Sequence, residues 1–320
     1  MIVEKVFLAS PRGFCAGVVR AIDVVEIALK TYPNPVYVRK EIVHNSHVVK
    51  ELSKKGAIFV DSIDEIPIGQ TVVFSAHGVS PEVWERARSR SLKIVDATCP
   101  LVTKVHDEAV RYAGENYTIV LIGHPDHDEV IGTMGEAPEN MVLVSSVKDV
   151  EALEVEDVGK VAYVTQTTLS LKDTREIIEA LRNKFTGIQS PPSDDICYAT
   201  QNRQMAVKEL AKVSELILVV GTANSSNSNR LVEEAQKAGC SAHLINDQSD
   251  IVNEWLTDIV TVGVTSGASA PERLVSEVVS FFQKNGAEVE EMILKKEEVH
   301  FALPSNLLVD LQKQQSFLRS

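Results

Sequence analysis

VEKVFLASPRGFCAGVVRAIDVVEIALKT, Val3–Thr31, carries the pattern from which the fold is read. Val3–Ala9 is a short, largely apolar run of strand length. Arg12-Gly-Phe-Cys15-Ala-Gly17 follows as a loop. Ala16–Thr31 then places apolar residues three and four apart, the spacing of a helix with one buried face. Strand, loop and helix in direct succession open a βαβ unit, and a parallel sheet needs such helical crossovers.

The same alternation continues along the chain. Further strands are expected at Val36–Arg39, Ala57–Val60, Val72–Ser75, Ile94–Asp96, Thr118–Ile122, Val142–Val144, Val161–Thr165, Leu216–Val220, His243–Ile245 and Ile259–Val264. Many are continuously apolar, as strands covered on both faces are. Between them the helical spacing recurs at Glu82–Ser89, Asp173–Phe185, Gln201–Val213, Arg230–Lys237 and Glu272–Lys284. Pro81 and Pro271 fit the preference for proline in a first helical turn. The class is therefore α/β with mostly parallel sheets. In such sheets ligands bind beyond the carboxyl ends of the strands, so the loops there are the place to look.

Those loops repeat. Arg12-Gly-Phe-Cys15, Asp96-Ala-Thr-Cys99 and Asp194-Asp-Ile-Cys197 each precede a helix. A polar loop comes next in each case: His44-Asn45, then Gly123-His-Pro-Asp-His127-Asp-Glu129, then Asn224-Ser225-Ser226-Asn227. The separations are 29 residues from Cys15 to His44, 28 from Cys99 to His127 and 28 from Cys197 to Ser225. A second polar loop stands 62, 68 and 72 residues after the cysteines, at His77, Thr167 and Ser269. Three lobes around a shared centre follow, spanning 15–97, 98–195 and 196–285. The strand segment 1–14 is expected to join the third lobe, and 286–320 to form a C-terminal tail.

Composition narrows the function. The 320 residues carry a net charge of −13 and are 44% hydrophobic, enough for a sizeable core and too apolar for global disorder. The acidic balance argues against a nucleic-acid partner, so a site for an anionic substrate must be a local exception to that field. No apolar run approaches the ~18–20 residues of a membrane span, and the first residues lack the pattern of a signal peptide. Four cysteines are too few for a disulfide-stapled fold of this length, which points to reduced thiols and a cytoplasmic setting. Their spacings of 84, 98 and 43 residues match no CxxC metal motif.

Three constellations carry chemistry. Cys15, Cys99 and Cys197 each stand at a helix start, where the dipole favours a thiolate. Converging, they suit zinc or three corners of a [4Fe–4S] cluster, and cysteine count alone leaves both open. Cys240, in Ala-Gly-Cys-Ser-Ala after a helix, reads as packing. His44, His77, His127, Ser225, Asn227 and Ser269, with Ser226 and His124 of lower weight, are donors at strand ends and suit a phosphate or diphosphate. His47, His106, His243 and His300 read as ordinary. Glu129, with Thr167 and Thr168, becomes a proton donor if burial beside an anion raises its pKa. Neither GxxxxGK[ST] nor GxGxxG is present.

PRGFCAGV, SAHGVS, DATCPLVTKVH, TQTTLS, DDICYATQNRQ and NSSNSNRL, in this order, closely resemble segments of the 4-hydroxy-3-methylbut-2-enyl diphosphate reductase family, IspH/LytB. The resemblance runs from Phe7 to about Phe282 and is weak over Glu151–Lys160 and the last ~35 residues. It implies a cloverleaf of three α/β lobes around one [4Fe–4S] cluster per chain, held by Cys15, Cys99 and Cys197 with one iron open. It implies that His44, His77, Ser225, Ser226, Asn227 and Ser269 hold the diphosphate, and that His127 and Thr168 line the same pocket. Glu129 would supply a proton and Thr167 would lie near the substrate hydroxyl. The implied reaction is reductive removal of that hydroxyl to give isopentenyl and dimethylallyl diphosphate, the last step of the methylerythritol phosphate route. Ferredoxin or flavodoxin would deliver the electrons to a monomer or weak homo-oligomer, with no nucleic-acid or membrane partner. Two other readings stand beside it: a hydro-lyase with an open-iron cluster, and a non-catalytic iron–sulfur sensor.

Overall fold

The computed structural model describes residues 3–317; residues 1–2 of the expected N-terminal strand segment and 318–320 of the expected tail lie outside them. The chain opens with β1 (Lys5–Ser10) and α1 (Ala16–Thr31). Then come β2 (Val36–Arg39), α2 (Ser46–Lys54), β3 (Ala57–Val60), β4 (Thr71–Phe74), α3 (Pro81–Ser89) and β5 (Lys93–Asp96). A second run holds α4 (Pro100–Gly114), β6 (Thr118–Ile122), α5 (Asp128–Met134), β7 (Met141–Val144), α6 (Val147–Ala152), β8 (Val161–Thr165) and α7 (Leu171–Lys184). The third holds α8 (Tyr198–Leu210), β9 (Leu216–Val220), α9 (Ser226–Lys237), β10 (Ser241–Ile245), β11 (Thr261–Ser266), α10 (Glu272–Lys284), β12 (Glu288–Ile293) and α11 (Ser305–Phe317).

The strands form three separate sheets, ordered β3-β2-β4-β5, β7-β6-β8 and β10-β9-β11-β1-β12. All strand pairings among the described residues are parallel. Each sheet has a separate apolar cluster on either face, such as Val38 and Val73 on one side of the first sheet and Val72 and Phe74 on the other. The continuous Leu216-Ile-Leu-Val-Val220 of β9 is buried throughout for this reason. Three small, doubly covered α/β units are thus the architecture.

Differences from the expected bounds have local causes. α8 starts at Tyr198 rather than Gln201, because Cys197 Sγ accepts the Thr200 amide at 3.4 Å and caps the helix early. α9 starts at Ser226 rather than Arg230, because Ser225 Oγ accepts the Ser228 amide at 3.3 Å. β11 begins at Thr261, not Ile259. The Val260 amide is taken by the Glu215 carboxylate at 2.7 Å instead of by a ladder. Pro271 caps α10 from just outside it, whereas Pro81 is its helix's first residue.

The segment expected as a tail is built into the body. β12 adds an edge strand to β1, from Lys5 opposite Glu288 to Ser10 opposite Ile293. Beyond it the chain crosses to α1, where Leu303 and Leu307 join the first apolar cluster. Tyr32 Oη donates to Asp310 Oδ2 at 3.0 Å and locks α11 there. No helix among the described residues is long and apolar enough to cross a membrane.

Candidate functional site

Each of the three cysteines is the residue immediately before a helix: Cys15 for α1, Cys99 for α4 and Cys197 for α8. Each is also pinned by its own amide to the loop of the preceding unit. Cys15 N–H donates to Ala268 O at 3.1 Å, Cys99 N–H to Ala76 O at 3.0 Å and Cys197 N–H to Thr167 O at 3.0 Å. Those carbonyls lie in the second polar loops picked out by spacing. The threefold repeat is therefore realised in hydrogen bonds, and each unit closes on the next.

The loops meet over one cavity. It is lined by Cys15, Cys99, Cys197, His44, His77, His127, Glu129, Thr167, Thr168, Ser225, Asn227 and Ser269 together, and by Ser226, which was given lower weight from the sequence. His124 lies aside in a neighbouring groove, its Nε2 2.9 Å from Arg230 Nη2.

Close packing at the sulfur end depends on two glycines. A Cβ on Gly17 would come within 2.8 Å of Cys99 Sγ, so only glycine lets α1 approach that sulfur. Gly13, at φ +68°, holds a left-handed turn that suits glycine, and its amide donates to Ser266 Oγ at 2.8 Å.

The expected thiolate stabilisation by helix N-termini is outweighed. Burial pushes the Cys99 thiol up to about 12, with the neighbouring Cys15 and Cys197 adding to the rise. Cys197 rises to about 11, chiefly through burial, against the Thr200 hydrogen bonds that lower it. Mutually repelling, buried thiols call for a cationic centre to become ligands. The three sulfurs are not a group whose ligand atoms all close to within 4.8 Å. Among the described residues, the trio whose ligand atoms all lie within 4.8 Å is His44, His77 and Asp128. A tetrahedral zinc at ~2.3 Å from each sulfur would bring sulfurs within ~4 Å. Three cysteines with no such closure fit a multi-metal cluster better than zinc.

The same cavity holds a histidine cluster. His44 and His77 stack with ring centres 4.0 Å apart, and His127 meets them edge-on at 5.2 and 5.9 Å. Burial, then the charges of His44 and His127, hold His77 well below the usual imidazole range. His127 falls to about 4, first through burial. Its Nδ1 accepts the Glu129 amide at 3.2 Å, so a neutral ring carries its hydrogen on Nε2. His44 Nδ1 pairs with Glu41 Oε2 at 3.3 Å, which draws the Glu41 carboxyl below its usual range. His77 Nδ1 is buried without a partner among the described residues. A buried unpaired nitrogen is costly, and an anion's oxygen is the partner it lacks.

The hydroxyl and amide donors differ in readiness. Ser225 caps α9 with its oxygen and keeps its hydrogen free for a ligand beside that helix N-terminus. Ser226 Oγ donates to Thr168 O at 3.2 Å and Ser269 Oγ to His44 O at 2.9 Å, so both must turn to reach a ligand. Asn227 joins Ala268 N at 2.9 Å to Thr200 Oγ1 at 3.3 Å.

Glu129, on the first turn of α5, is 3% exposed. Its Oε1 accepts the Thr167 amide at 2.6 Å and its Oε2 the Thr167 hydroxyl at 3.0 Å. Burial lifts its pKa to about 7, against the Thr167 hydrogen bonds and His106, which lower it. A carboxyl poised there can hold and release a proton near neutrality.

Three residues escaped the sequence reading. Thr200 sits 3.2 Å from Cys197 Sγ through its hydroxyl. Gln166 braces the site by accepting from His124 N at 3.1 Å and donating to Thr168 Oγ1 at 3.0 Å. Both lie inside quoted motifs, as does His106 at the end of DATCPLVTKVH, and that was the signal. His106, read as ordinary, is buried, pairs with Glu136 at 2.7 Å and lies beneath Gly78. Cys240 is buried as read, its thiol donating to Ser214 O at 3.1 Å.

Comparison with known proteins adds a finding of its own. The sequence profile described as "LytB protein" matches residues 6–283. The 4-hydroxy-3-methylbut-2-enyl diphosphate reductase of Acidothermus cellulolyticus is 54% identical over 311 residues, 97% of this chain and 92% of that one. The solved structure of the E-1-hydroxy-2-methyl-but-2-enyl-4-diphosphate reductase from Plasmodium falciparum is similar with a TM-score of 0.95 at 40% identity, covering 98% of this chain and 99% of that one. A second solved structure, (E)-4-hydroxy-3-methyl-but-2-enyl diphosphate reductase, described as the terminal enzyme of the non-mevalonate pathway, aligns with a TM-score of 0.63 at 32% identity, over 88% of this chain and all of that one.

Proposed function

This chain belongs to the LytB protein family, and we propose that it acts as its named relatives do, as a 4-hydroxy-3-methylbut-2-enyl diphosphate reductase. It is an oxidoreductase of isoprenoid synthesis by the non-mevalonate route. One observation carries the reading at the level of the site: a single cavity sets three helix-capping cysteines against a histidine cluster, with a near-neutral carboxyl in the same lining.

In this reading Cys15, Cys99 and Cys197 hold one [4Fe–4S] cluster. When bound, such a cluster supplies electrons and an iron with an open position that acts as a Lewis acid on oxygen. His44, His77, Ser225, Ser226, Asn227 and Ser269 hold the diphosphate, which fixes the allylic carbon far from the binding charge and near the sulfur end. His127 offers its Nε2 hydrogen to the same anion, and Thr168 completes the wall. Binding turns Ser226 and Ser269 away from the carbonyls they now meet.

Removing the hydroxyl as water takes two electrons and two protons: one proton on the leaving oxygen, one on carbon. Glu129 is the donor of the first. When Glu129 is protonated on Oε2, that hydrogen is donated to Thr167 Oγ1, and the threonine hydrogen is freed to point at the substrate. Thr167 is thereby a relay. The second proton can reach either end of the allylic unit, which accounts for two products. Electrons come from a ferredoxin- or flavodoxin-type donor, and a reducing cytoplasm keeps the four cysteines out of disulfides. The lobe limits 15–97, 98–195 and 196–285 are kept as the division of labour, with each lobe supplying one cysteine.

Anaerobic protein loaded with iron and sulfide, given reduced viologen and the hydroxylated diphosphate, should release both isoprenoid diphosphates. Loaded protein that leaves the substrate untouched overturns the assignment.

A further inference from the structure

Three cations one and a half turns into the cysteine-bearing helices share a geometry that the reaction does not use. Arg20, five residues after Cys15, donates through Nη1 to Thr98 O at 3.0 Å, directly before Cys99. Lys104, five residues after Cys99, donates to Ser193 O at 2.9 Å, Asp194 O at 3.2 Å and Asp195 Oδ1 at 3.0 Å, in the loop that leads to Cys197. Arg203, six residues after Cys197, donates through Nη2 to Gly13 O at 2.8 Å, two residues before Cys15. The cycle closes: the helix after each cysteine holds the loop that leads to the next, Cys15 to Cys99, Cys99 to Cys197 and Cys197 back to Cys15.

We propose that Arg20, Lys104 and Arg203 are positioning residues that form a closed ring and set the relative placement of the three sulfurs. The inference rests on the reading that those sulfurs hold one cluster.

Charge alone does not explain the pattern. Lys104 meets Asp195, and Arg203 meets both oxygens of Glu297 at 3.1 and 3.2 Å, so these two cations are balanced locally, while Arg20 donates to two main-chain carbonyls. What remains is direction, because each donor reaches a main-chain carbonyl close to a ligand of another lobe. Arg203 is fully buried; its Nη1 meets Ala199 O and Glu297 and its Nη2 meets Gly13 O, while its Nε has no partner among the described residues, so the two Nη groups are what hold the guanidinium there. The segment after β12 serves the same ring. It brings Glu297 to Arg203 and presents Ala302 O to Arg20 Nε at 2.7 Å, and so seats two of the three cations. This gives the last residues of the chain a task at the site although none lines the cavity.

The test compares anaerobically loaded wild-type protein with Arg20→Lys, Arg20→Gln and Lys104→Met. These sites are chosen because Arg203→Met would leave the partly buried Glu297 carboxylate without its cation. Readouts are iron per chain, the rate of iron loss to a ferrous chelator, the electron paramagnetic resonance spectrum of the reduced protein, and the melting temperature of the metal-free protein. Arg20→Gln and Lys104→Met should lose iron about tenfold faster or more, the scale of one charge-assisted hydrogen bond. Their reduced spectra should shift, while the metal-free forms stay cooperatively folded. Arg20→Lys, which still reaches Thr98 O, should lie near wild type. Wild-type lability and spectra in both neutral variants overturn the ring. So does a metal-free Tm that collapses in them, since the residues would then be general staples between lobes. A wild-type chain that takes up no iron instead strikes the cluster reading itself.

Discussion

Thr167 grips Glu129 with both its hydrogens, the amide reaching Oε1 at 2.6 Å and the hydroxyl Oε2 at 3.0 Å. The same Thr167 accepts the Cys197 amide through its carbonyl at 3.0 Å. One residue therefore ties the carboxyl to a sulfur-bearing loop. Glu129→Gln keeps the shape of this contact and removes the transferable proton. Iron content and substrate affinity should stay near wild type while kcat falls about 10²–10⁴-fold, the usual share of general acid catalysis. Wild-type kcat would assign the proton elsewhere, with the diphosphate as next candidate.

Thr167→Val removes the relay hydroxyl but keeps the amide on Oε1. Turnover should drop less than in Glu129→Gln, and KM should change little. A drop equal to that of Glu129→Gln would make the hydroxyl indispensable rather than a relay.

Turnover should also fall on the alkaline side. Glu129 rises to about 7, and the acid form is the one that donates. The bound anion raises the value further, and the protonated fraction is lost above it, so kcat, which reports the complex, declines on the alkaline side at a pH of ~7 or higher. Glu129→Gln should lack this limb, and a wild-type profile flat from pH 6 to 9 would contradict the assignment.

Binding of the diphosphate should take up protons. His127 at about 4 and the depressed His77 are neutral at pH 7 in the free protein. An anion beside them raises both, so the complex binds more protons and affinity weakens as pH increases. Calorimetry in buffers of different ionisation heat should register the uptake. His77→Asn should reduce it and raise Kd about 10–100-fold, as loss of a hydrogen bond to a charged group does. Equal affinity and no change in uptake would move the anion from this wall.

Much of this site could be read from spacing, because a βα turn places its residues at a sheet's carboxyl edge whatever the rest of the chain does. Cys15, Cys99 and Cys197 share that register with His44, His127 and Ser225. What could not be read depended on long-range packing. Glu288-Val-Glu-Glu-Met-Ile293 carries too much charge to resemble the apolar inner strands, and it is an edge strand with only Val289 and Met292 partly covered. His106 is buried because Glu136, thirty residues on, pairs with it, and no local pattern announces that. The helix-start position of the cysteines was legible, yet the raised pKa values of Cys99 and Cys197 were not, since burial decides them.

Mössbauer spectroscopy of anaerobically loaded protein tests the central claim most directly. Wild type and Cys240→Ser should both show four irons per chain, with one iron environment shifting on addition of the hydroxylated diphosphate and three unchanged. Cys197→Ser should hold no stable cluster, because one of three ligands is gone. Four irons in Cys197→Ser, or a wild-type spectrum in which no single iron responds to substrate, would contradict a cluster held by three cysteines and facing the histidine wall.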